Sequence, residues 1–264
     1  MYKIFETHAH FDDEDFDEDR DKLLLSMKNN GIEKLVNIGA GLASCKNTLQ
    51  LMEKYDFIYG AIGVHPSEVS DLEEYDGGDT AAINALRQMA LSQSKTVAIG
   101  EIGLDYHYEN TDKALQKKWF VKQMELADEL KLPIVVHSRD AAADTVDIMK
   151  ANHAETLGGV IHCYSYTKEL ARVFLDMGYF FGIGGVITFK NARKLVETVE
   201  YLPLESIVLE TDSPYLAPEP YRGKRNSSLN LPYVAEAIAK IKNISVEEVY
   251  RATWNNALKL YNLE

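Results

Sequence analysis

Residues 96–139 read TVAIGEIGLDYHYENTDKALQKKWFVKQMELADELKLPIVVHSR. The apolar run Thr96–Ile99 opens this stretch and is typical of a buried strand. Apolar residues then recur at a spacing near 3.6 through Lys113–Leu130, which predicts an amphipathic helix. Pro133 ends that helix and begins a second apolar run, Pro133–Val136. A buried strand, a helix and another buried strand in this order predict one repeat of a parallel α/β fold.

The same alternation extends over the rest of the chain. Six more short apolar runs, rich in Val, Ile, Phe and Tyr, lie between helical segments: Tyr2–Glu6, Lys34–Ile38, Phe57–Ile62, Gly159–Ile161, Tyr179–Ile183 and Ser206–Leu209. Eight such strands in 264 residues predict an α/β fold, a (β/α)8 TIM barrel of the metal-dependent hydrolase type, with residues 1–264 as a single domain. A doubly wound open sheet is the main alternative.

Two helices are expected to close the fold after the eighth strand, Leu231–Lys242 and Val246–Tyr261. The second has Ser at the cap position, Ser245, and Glu three residues later, Glu248. This spacing is typical of a capping box, in which each side chain binds a backbone N–H of the other residue.

The composition argues against several classes of protein. The formal net charge is −13, so broad electrostatic adhesion to duplex DNA is not expected, although an enzyme needs positive charge only where it binds phosphate. The two cysteines, Cys45 and Cys163, argue against a disulfide framework and favour a reducing compartment. The chain starts with polar residues rather than a signal sequence, and no apolar run approaches the roughly 18 residues of a membrane span. We therefore expect a cytoplasmic protein with no membrane association and no obligate protein partner.

Side chains that can bind metals recur at the carboxyl ends of the predicted strands. In a parallel barrel these ends all open onto one face, where the active sites of such barrels lie. Seven residues share this position: His8, His10, His65, Glu101, His137, His162 and Asp212. A single histidine would carry little weight, but the shared position of the set predicts a metal centre.

The first strand supplies the clearest pair, His8-Ala9-His10. Residues i and i+2 of an extended chain face the same side, so both imidazoles can reach one ion. Asp212 follows the eighth strand, which lies beside the first in a closed barrel, and can complete this site.

A second group comes from neighbouring strands. His137 and His162 end the fifth and sixth strands and can share another ion, while Glu101 lies between the two groups in strand order and could bridge both. We therefore predict two divalent metal ions per chain. Four imidazoles favour Zn, Mn, Co or Ni over Mg, but the sequence leaves the choice among these five open.

A basic run, Tyr221-Arg222-Gly223-Lys224-Arg225-Asn226, comes soon after Asp212. Its place on the predicted metal face favours contact with an anionic group over an ordinary solvated loop. We expect Lys224 and Arg225 to bind a phosphate of the substrate.

The ordered motifs of this chain resemble those of the TatD family. The resemblance covers nearly the whole chain and rests on THAH (7–10), GVHP (63–66), GEIGLDY (100–106), PIVVHSR (133–139), IHCYS (161–165) and LETDSPY (209–215). Members of this branch of the amidohydrolase-like barrels have metal-dependent deoxyribonuclease activity. Glu6 stands where Asp is common in the family.

The resemblance implies a separate role for each group of candidate residues. It places His8, His10, Glu101 and Asp212 around one metal ion and Glu101, His137 and His162 around the other. It also implies that His65 and Arg225 meet the phosphate.

From the residues and the resemblance together, we predict a hydrolase that cleaves phosphodiester bonds of DNA, at single strands or frayed ends. Asp212 is expected to orient and deprotonate the attacking water, Glu101 to hold both ions, and His65 to stabilise charge on the phosphate. The alternatives are an amidohydrolase-type barrel that acts on a small amide, lactone or phosphoester, and a metal-bearing scaffold protein.

Overall fold

A computed structural model describes residues 2–263 of the chain. Eight parallel strands are hydrogen-bonded in sheet order β1 to β8. They are β1 (Ile4–Ala9), β2 (Ile32–Ile38), β3 (Ile58–Ile62), β4 (Thr96–Asp105), β5 (Ile134–Arg139), β6 (Gly159–Ile161), β7 (Phe180–Ile183) and β8 (Ile207–Leu209).

Helices alternate with these strands. They are α1 (Arg20–Ser26), α2 (Leu42–Lys54), α3 (Ser70–Glu73), α4 (Gly78–Leu91), α5 (Lys113–Leu130), α6 (Ala142–Ala151), α7 (Lys168–Asp176), α8 (Arg193–Tyr201), α9 (Leu231–Lys242) and α10 (Val246–Leu260). This order confirms the predicted (β/α)8 topology. No helix within residues 2–263 is long and apolar enough to cross a membrane.

The chain packs as two compact units. The first unit runs up to Asn37, continues from Cys163 to Leu175 and resumes at Phe180. The second unit comprises Ile38–His162 and Asp176–Tyr179. The prediction of a single domain over 1–264 stays a prediction.

In the first unit the last strand bonds back to the first. The Asp212 N–H donates to His8 O at 2.9 Å, and the His10 N–H donates to Ser213 O at 2.8 Å. An open doubly wound sheet has no such seam, so this alternative is wrong. The seam is supported from outside by α10, which begins with the predicted capping box at Ser245.

In the second unit, β3 to β6 pair in parallel and α5 covers β4. The predicted bounds of α5 are confirmed, and its Trp119 and Phe120 are fully buried. Gln123 of the same helix binds the chain just after β3, because its side chain donates to Val64 O and accepts from Val64 N–H. Elements that carry the candidate ligands are therefore fixed by both apolar packing and buried hydrogen bonds.

Three strands are longer at their carboxyl ends than the apolar runs predict. β1 extends to Ala9, β4 to Asp105 and β5 to Arg139, so His8, Glu101 and His137 lie within strands rather than at or after their ends. The physical reason is that all ten residues of β4 are buried and its pairing with β5 continues through Gly103, opposite His137. Neighbouring strands satisfy the backbone there, and polar side chains therefore do not end the strand.

Candidate metal centre

The first unit brings three of the predicted ligands together, and we name them the first ligand set: His8, His10 and Asp212. Nε2 of His8 and Nε2 of His10 lie 3.2 Å apart. Oδ1 of Asp212 lies 3.7 Å from His8 Nε2 and 3.4 Å from His10 Nε2. The i, i+2 pair thus faces one side with Asp212 beside it, and the role of the three as metal ligands stays a prediction.

The seam between β1 and β8 creates this geometry. Ala9 pairs with Ser213 in parallel register, which sets the end of β1 beside the turn that follows β8. Asp212 adopts the left-handed backbone conformation at φ 57°, which is uncommon for residues other than glycine and redirects the chain at this point.

Behind the first ligand set lies the fully buried carboxyl group of Glu6. It accepts hydrogen bonds from His8 N–H at 3.1 Å, Thr211 N–H at 3.0 Å and the Thr211 hydroxyl at 2.6 Å. Burial raises the pKa of Glu6 to about 8, although these hydrogen bonds favour the charged form. Glu6 thus connects the backbone of β1 with the backbone of the turn after β8 through hydrogen bonds.

The second unit brings together Glu101, His137 and His162, which we name the second ligand set. Oε1 of Glu101 lies 2.7 Å from His137 Nδ1 and 3.7 Å from His162 Nε2. The rings of His137 and His162 are nearly parallel, with centroids 6.3 Å apart. The three side chains therefore lie together, and their role as metal ligands stays a prediction.

Close contact between β4 and β5 makes this arrangement possible. Gly103 of β4 has φ 145° and stands opposite His137, and a Cβ at this position would overlap the His137 carbonyl oxygen. Any other residue would push β5 away and move the His137 ring relative to Glu101. The glycine of the GEIGLDY motif therefore serves the spacing of the ligands.

A further carboxylate, Asp105, contacts the other side of His137. Its Oδ2 lies 3.2 Å from His137 Nε2. Burial opposes the charged form of both groups, but the hydrogen bonds to Asp105 and Glu101 outweigh it and raise the pKa of His137. The same contact, with the His107 N–H bond, holds the pKa of Asp105 below its ordinary value despite burial.

His65 also belongs to this neighbourhood. Its ring packs edge-on against His137, with centroids 4.3 Å apart. One ligand atom from each of His65, Glu101 and His137 lies within 4.8 Å of the others. Nδ1 of His65 is 2.7 Å from Ser67 Oγ and accepts from the Ser67 N–H at 3.1 Å.

The two basic residues predicted to bind phosphate, Lys224 and Arg225, have different surroundings in the loop after β8. Arg225 donates to both carboxylate oxygens of Asp19 at 2.8 and 2.7 Å, and its guanidinium covers the Phe16 ring. Lys224 is exposed and has no carboxylate within ion-pair distance among residues 2–263. Lys224 is therefore available to an anion, whereas Arg225 is held by the acidic segment after β1.

The donor chemistry of both sets fits divalent metal ions. Two imidazole nitrogens that face each other at 3.2 Å, as in His8 and His10, need a proton or a cation between their lone pairs. A mixed set of imidazole and carboxylate donors is typical of sites for Zn, Mn, Co or Ni. His107 and His153 are not in these groups, since His107 faces Asp140 and the His153 side chain is 81% exposed.

Two features escaped the sequence analysis. The ion pair between Arg225 and Asp19 joins segments about 200 residues apart, and no local sequence pattern predicts it. The position of Asp105, by contrast, could have been predicted, because residues 101, 103 and 105 of one strand face the same side. A strand that carries a predicted ligand at 101 therefore points residue 105 toward the same neighbour.

Comparison with known proteins gives consistent results. A family model described as "TatD related DNase" matches residues 5–262. The chain is 40% identical to the "Uncharacterized metal-dependent hydrolase YabD" of Bacillus subtilis, over 98% of this chain and 99% of that one. It is 34% identical to the "Uncharacterized metal-dependent hydrolase YcfH" of Escherichia coli K12, over 99% and 96% of the two chains. The solved structure of YJJV, a TatD homolog from Escherichia coli, aligns with a TM-score of 0.90 at 29% identity, over 99% and 98%.

Proposed function

Since the chain belongs to the TatD family of metal-dependent hydrolases, we propose that it hydrolyses phosphodiester bonds of DNA at single strands or frayed ends. The observation that carries the proposal is Lys224 on the loop after β8, 12 positions beyond the candidate base Asp212, an exposed cation whose ammonium group lies over the Tyr221 ring. In a chain of net charge −13, a cation in this loop without a carboxylate partner among residues 2–263 favours an anionic substrate.

We propose that the two ligand sets hold two divalent ions, with Glu101 as the shared ligand that the family resemblance implies. When bound, such ions lower the pKa of water and act as Lewis acids toward phosphoryl oxygen. Their identity, among Zn, Mn, Mg, Co and Ni, is left open by the donor set. The second candidate, hydrolysis of a small amide, lactone or phosphoester, uses the same ligands and differs in what the loop would contact.

Asp212 is the proposed general base. It is the carboxylate of the first ligand set, and its side chain is 18% exposed, so that it can meet a water molecule. A carboxylate in this position orients the water through one oxygen and accepts its proton. The turn that positions Asp212 is fixed by the hydrogen bond from its own N–H to His8 O.

His65 is proposed to contact the phosphate. Its ring packs against His137 and its Nδ1 is next to Ser67, so two neighbours fix the orientation of the ring. An N–H donor aimed at a phosphoryl oxygen stabilises the negative charge that grows there as water attacks.

Lys224 and Arg225 take different parts in this proposal. Lys224 supplies a charge to the phosphate, while Arg225 holds the loop through Asp19 and contributes to phosphate binding indirectly. This assignment sharpens the sequence-based expectation, in which both residues met the substrate.

The test compares Lys224→Gln with Lys240→Gln, which removes the same charge from the last turn of α9. A charge-assisted contact contributes about 1.5–3 kcal/mol, so we expect Lys224→Gln to lower kcat/KM on a single-stranded oligonucleotide at least about tenfold. Hydrolysis of a neutral ester should be unchanged, and the dependence on salt should become less steep.

Equal losses for Lys224→Gln and Lys240→Gln would show that only overall charge matters. An equal loss on the neutral ester would favour the small-substrate alternative. Metal content, measured on every variant, separates either result from a damaged metal centre.

A further inference from the structure

His137 has a carboxylate oxygen at each ring nitrogen. Nδ1 lies 2.7 Å from Glu101 Oε1, and Nε2 lies 3.2 Å from Asp105 Oδ2. Both carboxyl groups are buried, with exposures of 2% for Glu101 and 4% for Asp105. The ring is therefore fixed in direction, and the two nitrogens have separate environments.

A neutral imidazole carries one proton, so the nitrogen that binds a cation leaves the proton on the other. Glu101 is itself a proposed metal ligand, and Nδ1 is the nitrogen that faces it. Nε2 faces Asp105 and is therefore the nitrogen that keeps the proton and donates it in a hydrogen bond.

Asp105 is held in place independently of His137. Its Oδ1 accepts from the His107 N–H at 2.9 Å, and its own N–H donates to the side-chain oxygen of Gln116 at 2.9 Å. The carboxylate thus has one oxygen committed to the backbone and the other directed at the histidine. Such an acceptor is present before any ion binds.

We propose that Asp105 is a positioning residue that fixes the orientation of His137 and keeps its proton on Nε2, so that His137 binds metal through Nδ1. This inference rests on the proposed metal centre but not on DNA as the substrate. A carboxylate behind a metal-binding histidine also makes the imidazole a stronger donor to the ion, and loss of such a partner typically costs about 10–100-fold in metal affinity.

The substitution Asp105→Asn isolates this role because it keeps the shape of the side chain. An amide has one acceptor oxygen, whereas the His107 N–H and the His137 Nε2–H both require one. One of the two hydrogen bonds must be lost. A matched control is Asp144→Asn, which changes a carboxylate that accepts from the neighbouring Tyr106 hydroxyl at 2.7 Å.

The experiment measures zinc affinity by competition with a chelator. We expect Asp105→Asn to weaken one of two zinc equivalents by about 10–100-fold and to leave the other within a few-fold of the parent. Asp144→Asn should leave both unchanged. Equal weakening of both equivalents, or no weakening of either, would overturn the proposal.

A second readout needs no substitution at Asp105. In the zinc-loaded parent protein labelled with 15N, the His137 ring proton should be bonded to Nε2, with assignment by its loss in His137→Gln. A proton on Nδ1 would contradict the proposal even if Asp105→Asn failed to fold. Neither measurement involves DNA, so the absence of nuclease activity would overturn the proposed function and leave this inference standing.

Discussion

The two ligand sets are held in different ways. In the first set, the nitrogens of His8 and His10 face each other at 3.2 Å, and one carboxylate, Asp212, lies 3.4–3.7 Å away. In the second set, carboxylate oxygens lie 2.7 and 3.2 Å from the two nitrogens of His137. In the first set two imidazole nitrogens, which are ligands of the same kind, lie close together. In the second set one imidazole already contacts two carboxylates.

This difference indicates what each set requires from an ion. In the first set a proton shared by the two imidazole nitrogens makes a hydrogen bond, and a cation bound by both nitrogens would replace that proton. In the second set an ion would replace the contact between Glu101 and His137.

The largest effect is expected from Asp212→Asn. Asn can still direct an oxygen at the first set but cannot accept a proton, so turnover should fall by about 10²–10⁴ while KM stays within a few-fold. Metal analysis should still find both ions. The corresponding change in the second set, Glu101→Gln, should instead lower the metal content, because Glu101 is the proposed shared ligand. Turnover of Asp212→Asn close to that of the parent would place the base elsewhere.

The next effect concerns the carboxyl group behind the first set. Folding raises the pKa of Glu6 from 4.5 to about 8, so the folded protein binds an extra proton between these values and stability falls as pH rises through them. At about 1.4 kcal/mol per unit, the loss could reach about 5 kcal/mol by pH 8.

Chemical denaturation of the metal-free protein at several pH values measures this contribution. Glu6→Gln cannot ionise, so its free energy of unfolding should depend less on pH between 4.5 and 8, and the two curves should separate as pH rises. Parallel curves would show that Glu6 titrates with the same pKa in both states.

The smallest expected effect is a loss of metal affinity that distinguishes the two ligand sets. His137→Ala and His162→Ala should each weaken one ion by about a hundredfold, somewhat more than loss of a supporting carboxylate, and largely spare the other. His8→Ala should instead weaken binding of the ion at the first ligand set. Two full equivalents in every variant, under competition with a chelator, would show that the sets are assigned wrongly.

The fold was predictable because it depends on local periodicity. Short apolar runs placed the seven candidate side chains at or near the carboxyl ends of strands, although His8, Glu101 and His137 lie inside strands, and their roles as ligands stay predictions. The i, i+2 rule alone placed His8 and His10 on one side. These inferences succeed because a strand repeats every two residues and a (β/α)8 fold directs all strand ends to one face.

The sequence could not predict which charged groups are already paired. Arg225 and Lys224 are neighbours in one basic run, yet only Arg225 has a carboxylate partner, Asp19, from a segment near the start of the chain. Such a pairing depends on the tertiary contact and not on the local pattern. The raised pKa of Glu6 has the same origin, because complete burial of a carboxyl group is a property of the folded chain.

The seam between β1 and β8 also has a consequence for biosynthesis. The strand with His8 and His10 leaves the ribosome long before its partners Asp212 and Ser213, and before Tyr261, whose hydroxyl donates to the carbonyl of Thr7 at 2.9 Å. At about 5–20 residues per second, more than ten seconds separate the two imidazoles from these partners. Over that interval the nascent chain lacks Asp212 beside the two imidazoles, so the first ligand set is complete only after almost the whole barrel has been synthesised.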